Sequence, residues 1–174
     1  VGQPSEILSE HKSTFAQRLP VMLTFNHKIL GEVSVIGIHL KANIPSATAA
    51  ERKESYDRRK ESASLLQNYV STKLNSKKVI ILGDWNDDVD VSNHEGIETP
   101  FKSIIDDASL RFVTYYLSFA LVQSSKYGSV IDHICITNEL FGNFRSSAVV
   151  GVKDEIKGYM ETCSDHYPMY VVFE

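Results

Sequence analysis

The chain is 174 residues long, 43% apolar and 23% charged, the balance of an ordinary soluble globular domain with enough length for a real core. A net charge of -4 excludes a global basic field, although a bound divalent ion can still supply positive charge locally. Two cysteines, Cys135 and Cys163, make neither a disulfide framework nor a zinc pattern, and no apolar run is long enough for a transmembrane segment.

No signal peptide is evident, and the sequence opens at Val1 without Met, which points to a processed chain or a piece of a longer one. Residues 1–17 are polar and unperiodic and are expected to be a tail or loop. Leu19 to Phe25 reads as a strand, Asn26 to Glu32 as a turn containing Gly31, and Val33 to Leu40 as a second strand, together an antiparallel hairpin. His39 stands at the far end of that second strand. A lone strand histidine is more often structural than catalytic, but its place at a strand tip raises it.

Ser46 to about Leu74 is the clear helix, with Ser46 or Thr48 as N-cap and Glu51 as the capping-box partner of Thr48. Ala63, Leu66, Val70 and Leu74 step along one face. The charged stretch Glu51 to Lys60 reads as a solvated face. Strand, helix, strand is a crossover, so the strands on either side of it should be parallel.

The run Val79 to Leu82 reads as a buried strand, and Gly83 lets the backbone turn at its end. Asp84, Trp85, Asn86, Asp87 and Asp88 follow. Asp84 and Asn86 are two apart, so extended backbone turns them to one side and Trp85 to the other. Such a loop admits three readings. It is a solvated acidic turn; or a calcium loop, since Asp84, Asn86, Asp88, Asp90 and Glu95 fit the EF-hand order; or a metal and phosphate site built of hard oxygen donors. The calcium loop is disfavoured by Val89, where the sharp turn needs glycine, and by the strand that precedes it.

Pro100 to Asp107 suggests a short helix, and 111–124 an aromatic, β-rich segment suited to core packing. Ser129 to Thr137 is another strand, with Asp132 and His133 inside it. An acid in so apolar a strand needs a partner. Cys135 in that strand reads as a buried thiol, whereas Cys163 lies in a more polar setting. A turn at Asn138 to Asn143, a strand from Phe144 to Val152, a polar loop with Ser164-Asp165-His166-Tyr167-Pro168, and a strand from Met169 to Phe173 complete the chain. No repeat, linker or domain boundary is visible.

Four separated elements therefore offer acid, amide or imidazole groups near strand ends: His39, Asp84 with Asn86, Asp132, and Asp165 with His166. In this order, the segments Ile38-His39-Leu40-Lys41, Leu82-Gly83-Asp84-Trp85-Asn86-Asp87, Val130-Ile131-Asp132-His133-Ile134 and Ser164-Asp165-His166-Tyr167-Pro168 resemble the endonuclease/exonuclease/phosphatase superfamily, the deoxyribonuclease-I-like fold. The resemblance runs from about Arg18 to the C-terminus. It implies an α/β (α+β) fold, a four-layered sandwich of two β-sheets with helices outside, here as a single partial domain with the N-terminal part missing.

The resemblance also implies roles. Asp84 would hold or orient the attacking water, and Asn86 would bind metal or phosphate oxygen. His166 would contact the scissile phosphate as acid or base, with Asp132 orienting its ring. Asp165 would be a metal ligand, and His39 would bind the phosphate or protonate the leaving oxygen. The implied cofactor is Mg²⁺ or Mn²⁺, with Asp84, Asn86 and Asp165 as its ligands. The implied partners are a nucleic acid or another phosphoester substrate, and the missing N-terminal half; the expectation is a fragment that is inactive as it stands or that partners with that half.

The function expected is a metal-dependent nuclease. Inositol-phosphate phosphatases and abasic-site endonucleases rank lower, because Val130-Ile131-Asp132-His133 departs from their usual segments. A lipid phosphodiesterase, a phosphatase of the same superfamily and a non-catalytic binding domain are the alternatives.

Overall fold

The computed structural model describes residues 2–44, 46–120, 122–126, 128–152 and 155–174. Val1 of the expected tail and position 121 of the expected aromatic segment lie outside the described residues. The elements are β1 (Ser5–Glu6), β2 (Val21–His27), β3 (Gly31–His39), α1 (Ala49–Lys73), β4 (Lys78–Asp84), α2 (Lys102–Ile105), β5 (Leu110–Phe112), β6 (Asp132–Thr137), β7 (Phe144–Val149), α3 (Tyr159–Thr162) and β8 (Met169–Phe173). Six strands form one sheet in the order β1-β2-β3-β4-β6-β5, and β7 and β8 form a second, two-stranded sheet.

The hairpin β2–β3 is antiparallel, and Gly31 takes the positive φ of +74° that its turn requires. β3 and β4 are parallel, as a strand-helix-strand crossover demands. The connecting helix α1 starts where the capping box predicts. Glu51 N donates to Thr48 Oγ1 at 3.2 Å, and Thr48 N donates to Glu51 Oε2 at 2.7 Å.

Alternation along the strands divides the sheet into two apolar faces. Ile36, Ile38, Val79 and Ile81 face α1, meeting Ala63, Leu66 and Val70 of its buried stripe. Trp85, Phe101 and Phe112 close this core, with Trp85 edge-on to the other rings at centroid distances of 5.1 and 4.8 Å. The opposite face carries Val33, Ile80, Ile134 and Ile136, which pack against Phe144, Val171 and Phe173 of the second sheet. Each large apolar side chain so buried contributes about 1.5–3 kcal/mol. The described residues thus make three layers of the expected sandwich: helix, sheet, sheet.

Three expectations change. The segment 1–17 is not a free tail: β1 pairs with β2, and Ile7 and Phe15 are buried in the main core. Its apolar residues are isolated and unperiodic, so nothing local marked them as core. The charged stretch of α1 is not wholly solvated, since Arg59 is fully buried. The aromatic segment splits, with Phe112 in the core and Tyr115, Tyr116 and Phe119 exposed on a 3₁₀ turn. Cys135 is buried, as expected, and Cys163 is exposed.

Candidate active site

Strand register brings the first groups together. His39 of β3 is paired with Asp84 of β4, and Asp84 in turn with Asp132 of β6. One row across three adjacent strands therefore reads imidazole, carboxylate, carboxylate. All three side chains fall on the face that carries Val33, Ile80 and Ile134, by the two-residue alternation of strands.

Gly83 makes this row possible. It sits at φ +137°, and a Cβ there would lie 2.0 Å from the Ile38 carbonyl oxygen. Only glycine lets β4 pass that close to β3 one residue before Asp84.

The chain then leaves strand geometry. Asn86 has φ +57°, so Asp84 and Asn86 do not share a side of an extended strand as the spacing suggested. They meet instead through hydrogen bonds. Asn86 N donates to Asp84 Oδ1 at 2.8 Å, and Asn86 Nδ2 donates to Asp84 Oδ2 at 2.9 Å and to the Leu40 carbonyl at 3.0 Å. That leaves the Asn86 side-chain oxygen as an acceptor. Trp85 turns into the core, as expected, and its Nε1 donates to the His133 carbonyl at 3.0 Å.

The loop before β8 supplies the fourth group. His166 Nδ1 lies 2.7 Å from Asp132 Oδ2, and its Nε2 lies 3.9 Å from Asp84 Oδ2. Ser124 Oγ accepts from the backbone N–H of Ile131 and of Asp132, at 2.9 and 3.0 Å, which fixes the carboxylate that holds the imidazole. Asp165 stands beside this cluster, half-exposed, with Lys126 Nζ 3.4 Å from its carboxylate.

Two arginines that sequence reasoning passed over complete the surroundings. Arg18 donates to His39 Nε2 at 2.7 Å and to the Leu40 carbonyl at 2.8 Å. Arg59 reaches in from α1 and ties both site loops. It donates to Asp87 Oδ2 from Nε at 3.1 Å and from Nη2 at 2.8 Å, and to the Lys41 carbonyl at 2.9 Å. Arg59 and Asp87 are both fully buried. Asp87 also accepts from Ser92 Oγ and Asn93 N, so the acidic loop is braced from within. No local signal marked Arg18. None marked Arg59 either, because its burial follows from the buried Asp87 it meets across the fold.

Electrostatics separates the roles of these groups. Burial, and then the like charge of Asp132, push the Asp84 carboxyl up to about 6. For His166, burial works downward, but the Asp132 bond and the charges of Asp132, Asp84 and Asp165 outweigh it and hold the imidazole above its ordinary value. Burial, then the adjacent Arg18 and His166 charges, hold His39 below its ordinary value. A cleft of roughly 530 Å³ opens over Asp84, Asn86, His39, His166 and Asp165. Asp132 does not line it; it stands behind His166.

Among the described residues, no three His, Cys, Asp or Glu side chains converge to hold a metal ion. Asp84 and Asn86 are together, but Asp165 is turned to Lys126. Two oxygen donors so placed fall short of a closed all-protein cage. Nor does any helix in the described residues have the length and apolarity to cross a membrane.

No protein-family profile matches the chain, and no curated protein sequence matches it. Solved structures do. A humanized D. rerio TDP2 carrying 14 mutations is 16% identical with TM-score 0.65, over 99% of this chain and 66% of that one. The 3′ phosphatase NExo from Neisseria, bound to product DNA hairpin, is 18% identical with TM-score 0.66, over 99% and 70%. The Bacteroides thetaiotaomicron mannosyl-6-phosphatase Bt3783 is 21% identical with TM-score 0.57, over 90% and 57%. Others are described as endonuclease/exonuclease/phosphatase family proteins. The chain has the deoxyribonuclease-I-like fold of these neighbours, and it spans 66% of the first and 57% of the last of the three.

Proposed function

We propose that this chain carries the acid–base face of a phosphoester hydrolase whose substrate is a nucleic-acid phosphodiester. The observation that supports it best is the aligned row His39–Asp84–Asp132, with His166 seated on Asp132 and facing Asp84. A carboxylate raised to about 6 is ionised at neutral pH yet basic enough to take a proton from water. Asp84 is that base, and Asn86 holds it in place.

Asp132 accepts from Nδ1–H of His166, so Nε2 is the nitrogen presented to the cleft. Held above its ordinary value, His166 is the imidazolium that neutralises a phosphate oxygen and delivers a proton to the leaving oxygen. His39, kept neutral with Nε2 occupied by Arg18, is a phosphate-binding group and not the proton donor.

Asp84, Asn86 and Asp165 are the candidate ligands for Mg²⁺ or Mn²⁺, a further donor would complete the set, and no step above depends on the ion. We infer that a further segment, corresponding to the part of the solved neighbours this chain does not span, supplies that donor. The DNA hairpin in the Neisseria neighbour agrees with a nucleic-acid substrate.

The test is plasmid nicking in Mg²⁺ or Mn²⁺, with and without chelator, by this chain and by a longer version that includes the missing part of the fold. Nicking that is lost in Asp84→Asn and His166→Ala supports the reading. Release of phosphate from monoesters without nicking would replace it with a phosphatase, and neither activity in the longer version would leave a binding domain.

A further inference from the structure

Beyond the acidic cluster, the same cleft runs on to the first turn of α1. Its lining also includes Asn43, Ile44 and Arg52. Among the described residues that line the cleft, Arg52 is the only Lys or Arg, in a chain of net charge -4. One N–H of its guanidinium donates to the Ala47 carbonyl, which fixes the head group. A guanidinium carries further donors in a rigid fork, so this bond does not exhaust it.

The helix end beside it carries a capping box. Thr48 and Glu51 cap each other, so the amides of Thr48 and Glu51 are engaged within the turn and Glu51 Oε2 is held by Thr48. The lining around Arg52 and beyond it is polar and apolar in turn. Asn43 Oδ1 accepts from Arg59, which sets its amide, and Asn93 Nδ2 donates to Ser129 Oγ at 3.1 Å. Ile44 is 49% exposed, an apolar surface placed beside a cation.

We infer that Arg52 holds a second phosphate of the same strand, on one side of the phosphate that sits over Asp84 and His166. The inference rests on the phosphodiester reading of that site and narrows its substrate. A small monoester reaches only the acidic end of the cleft, whereas an oligonucleotide occupies both ends, with a sugar or base against Ile44. Arg52 is a specificity-determining residue and takes no part in the chemistry.

The experiment is equilibrium binding of a fluorescein-labelled (dT)8 and of thymidine 5′-(p-nitrophenyl phosphate), a single-phosphate diester, across a salt series. Arg52→Gln is expected to weaken octamer binding about five- to tenfold, the loss of one charged hydrogen-bonding partner. Its slope of log Kd against log salt should be shallower by about 0.7, the value for one single-strand phosphate contact. Binding of the single-phosphate probe stays as in the wild type, and Arg52→Lys keeps the wild-type slope because it keeps the charge. An unchanged slope in Arg52→Gln, or an equal loss for both probes, overturns the inference and leaves the phosphodiester reading standing. Failure of the wild type to bind either probe overturns both.

Discussion

His166 Nδ1 and Asp132 Oδ2 are 2.7 Å apart, although 34 positions separate the two residues in the chain. That bond sets the tautomer of the imidazole and holds it above its ordinary value. Asp132→Asn replaces the carboxylate with a neutral amide, so the His166 titration midpoint falls and less imidazolium is present at neutral pH. NMR titration of the ring checks the shift; an unmoved midpoint would mean that Asp132 does not control His166.

Turnover follows the same geometry. Asp84→Ala and His166→Ala should each lower phosphodiester hydrolysis by about two orders of magnitude, as the loss of a positioned base or acid does. Steady-state kinetics reads this as a fall in kcat. A rise in KM alone, with kcat kept, would assign these side chains to binding.

Gly83→Ala places a methyl group against the Ile38 carbonyl in a backbone conformation, φ +137°, that alanine resists. Strain of this kind costs about 1–3 kcal/mol even before the clash is counted. Urea unfolding of the variant should show at least that loss, and a wild-type midpoint would show that β3 and β4 are not so close.

Removing one member of the buried Arg59–Asp87 pair strands the other charge. Arg59→Met is expected to cost about 3–5 kcal/mol. Adding Asp87→Asn to it should recover part of that loss, because an amide tolerates burial better than a lone carboxylate. Chemical denaturation of the single and double variants decides it. A double variant no better than the single would assign the cost to the Lys41 and Asn43 contacts of Arg59 instead.

His133 gives a pH dependence with a definite sign. It is fully buried, and burial pushes its imidazole down to about 3. Its folded value is depressed, so its stabilising contribution is complete above the ordinary value of about 6.5 and is lost as pH falls towards 3. The wild type should lose roughly 1.4 kcal/mol per pH unit through this group across that window. Asp88, raised to about 6 by burial, works in the opposite sense between its ordinary value and that point. The difference between wild type and His133→Asn isolates the histidine. Parallel stability profiles for the two proteins would refute the assignment.

The parts of the fold legible in the sequence are those with strong local patterns. The α1 capping box, the Gly31 turn, the apolar run of β4 and the parallel crossover each follow from short-range chemistry. Of the site, His39, Asp84 and His166 announced themselves as polar groups at strand ends. Asp132 announced itself as a carboxylate in an apolar strand, which had to have a partner. Arg59 did not, because a charged helical stretch normally faces water, and its burial depends on Asp87, 28 positions away. Phe15 and Ile7 likewise owe their burial to tertiary packing that no periodicity encodes.

The row His39–Asp84–Asp132 is set by strand pairing on both flanks of β4, and this has a consequence for renaturation. A slip of one residue would turn Asp84 towards the α1 face and break its alignment with both neighbours. Such a chain would still be compact and still contain its helix. Far-ultraviolet dichroism would score it as recovered, while its three polar groups would no longer converge. The yield of regained activity therefore measures correct strand pairing, a quantity that spectroscopic recovery overstates.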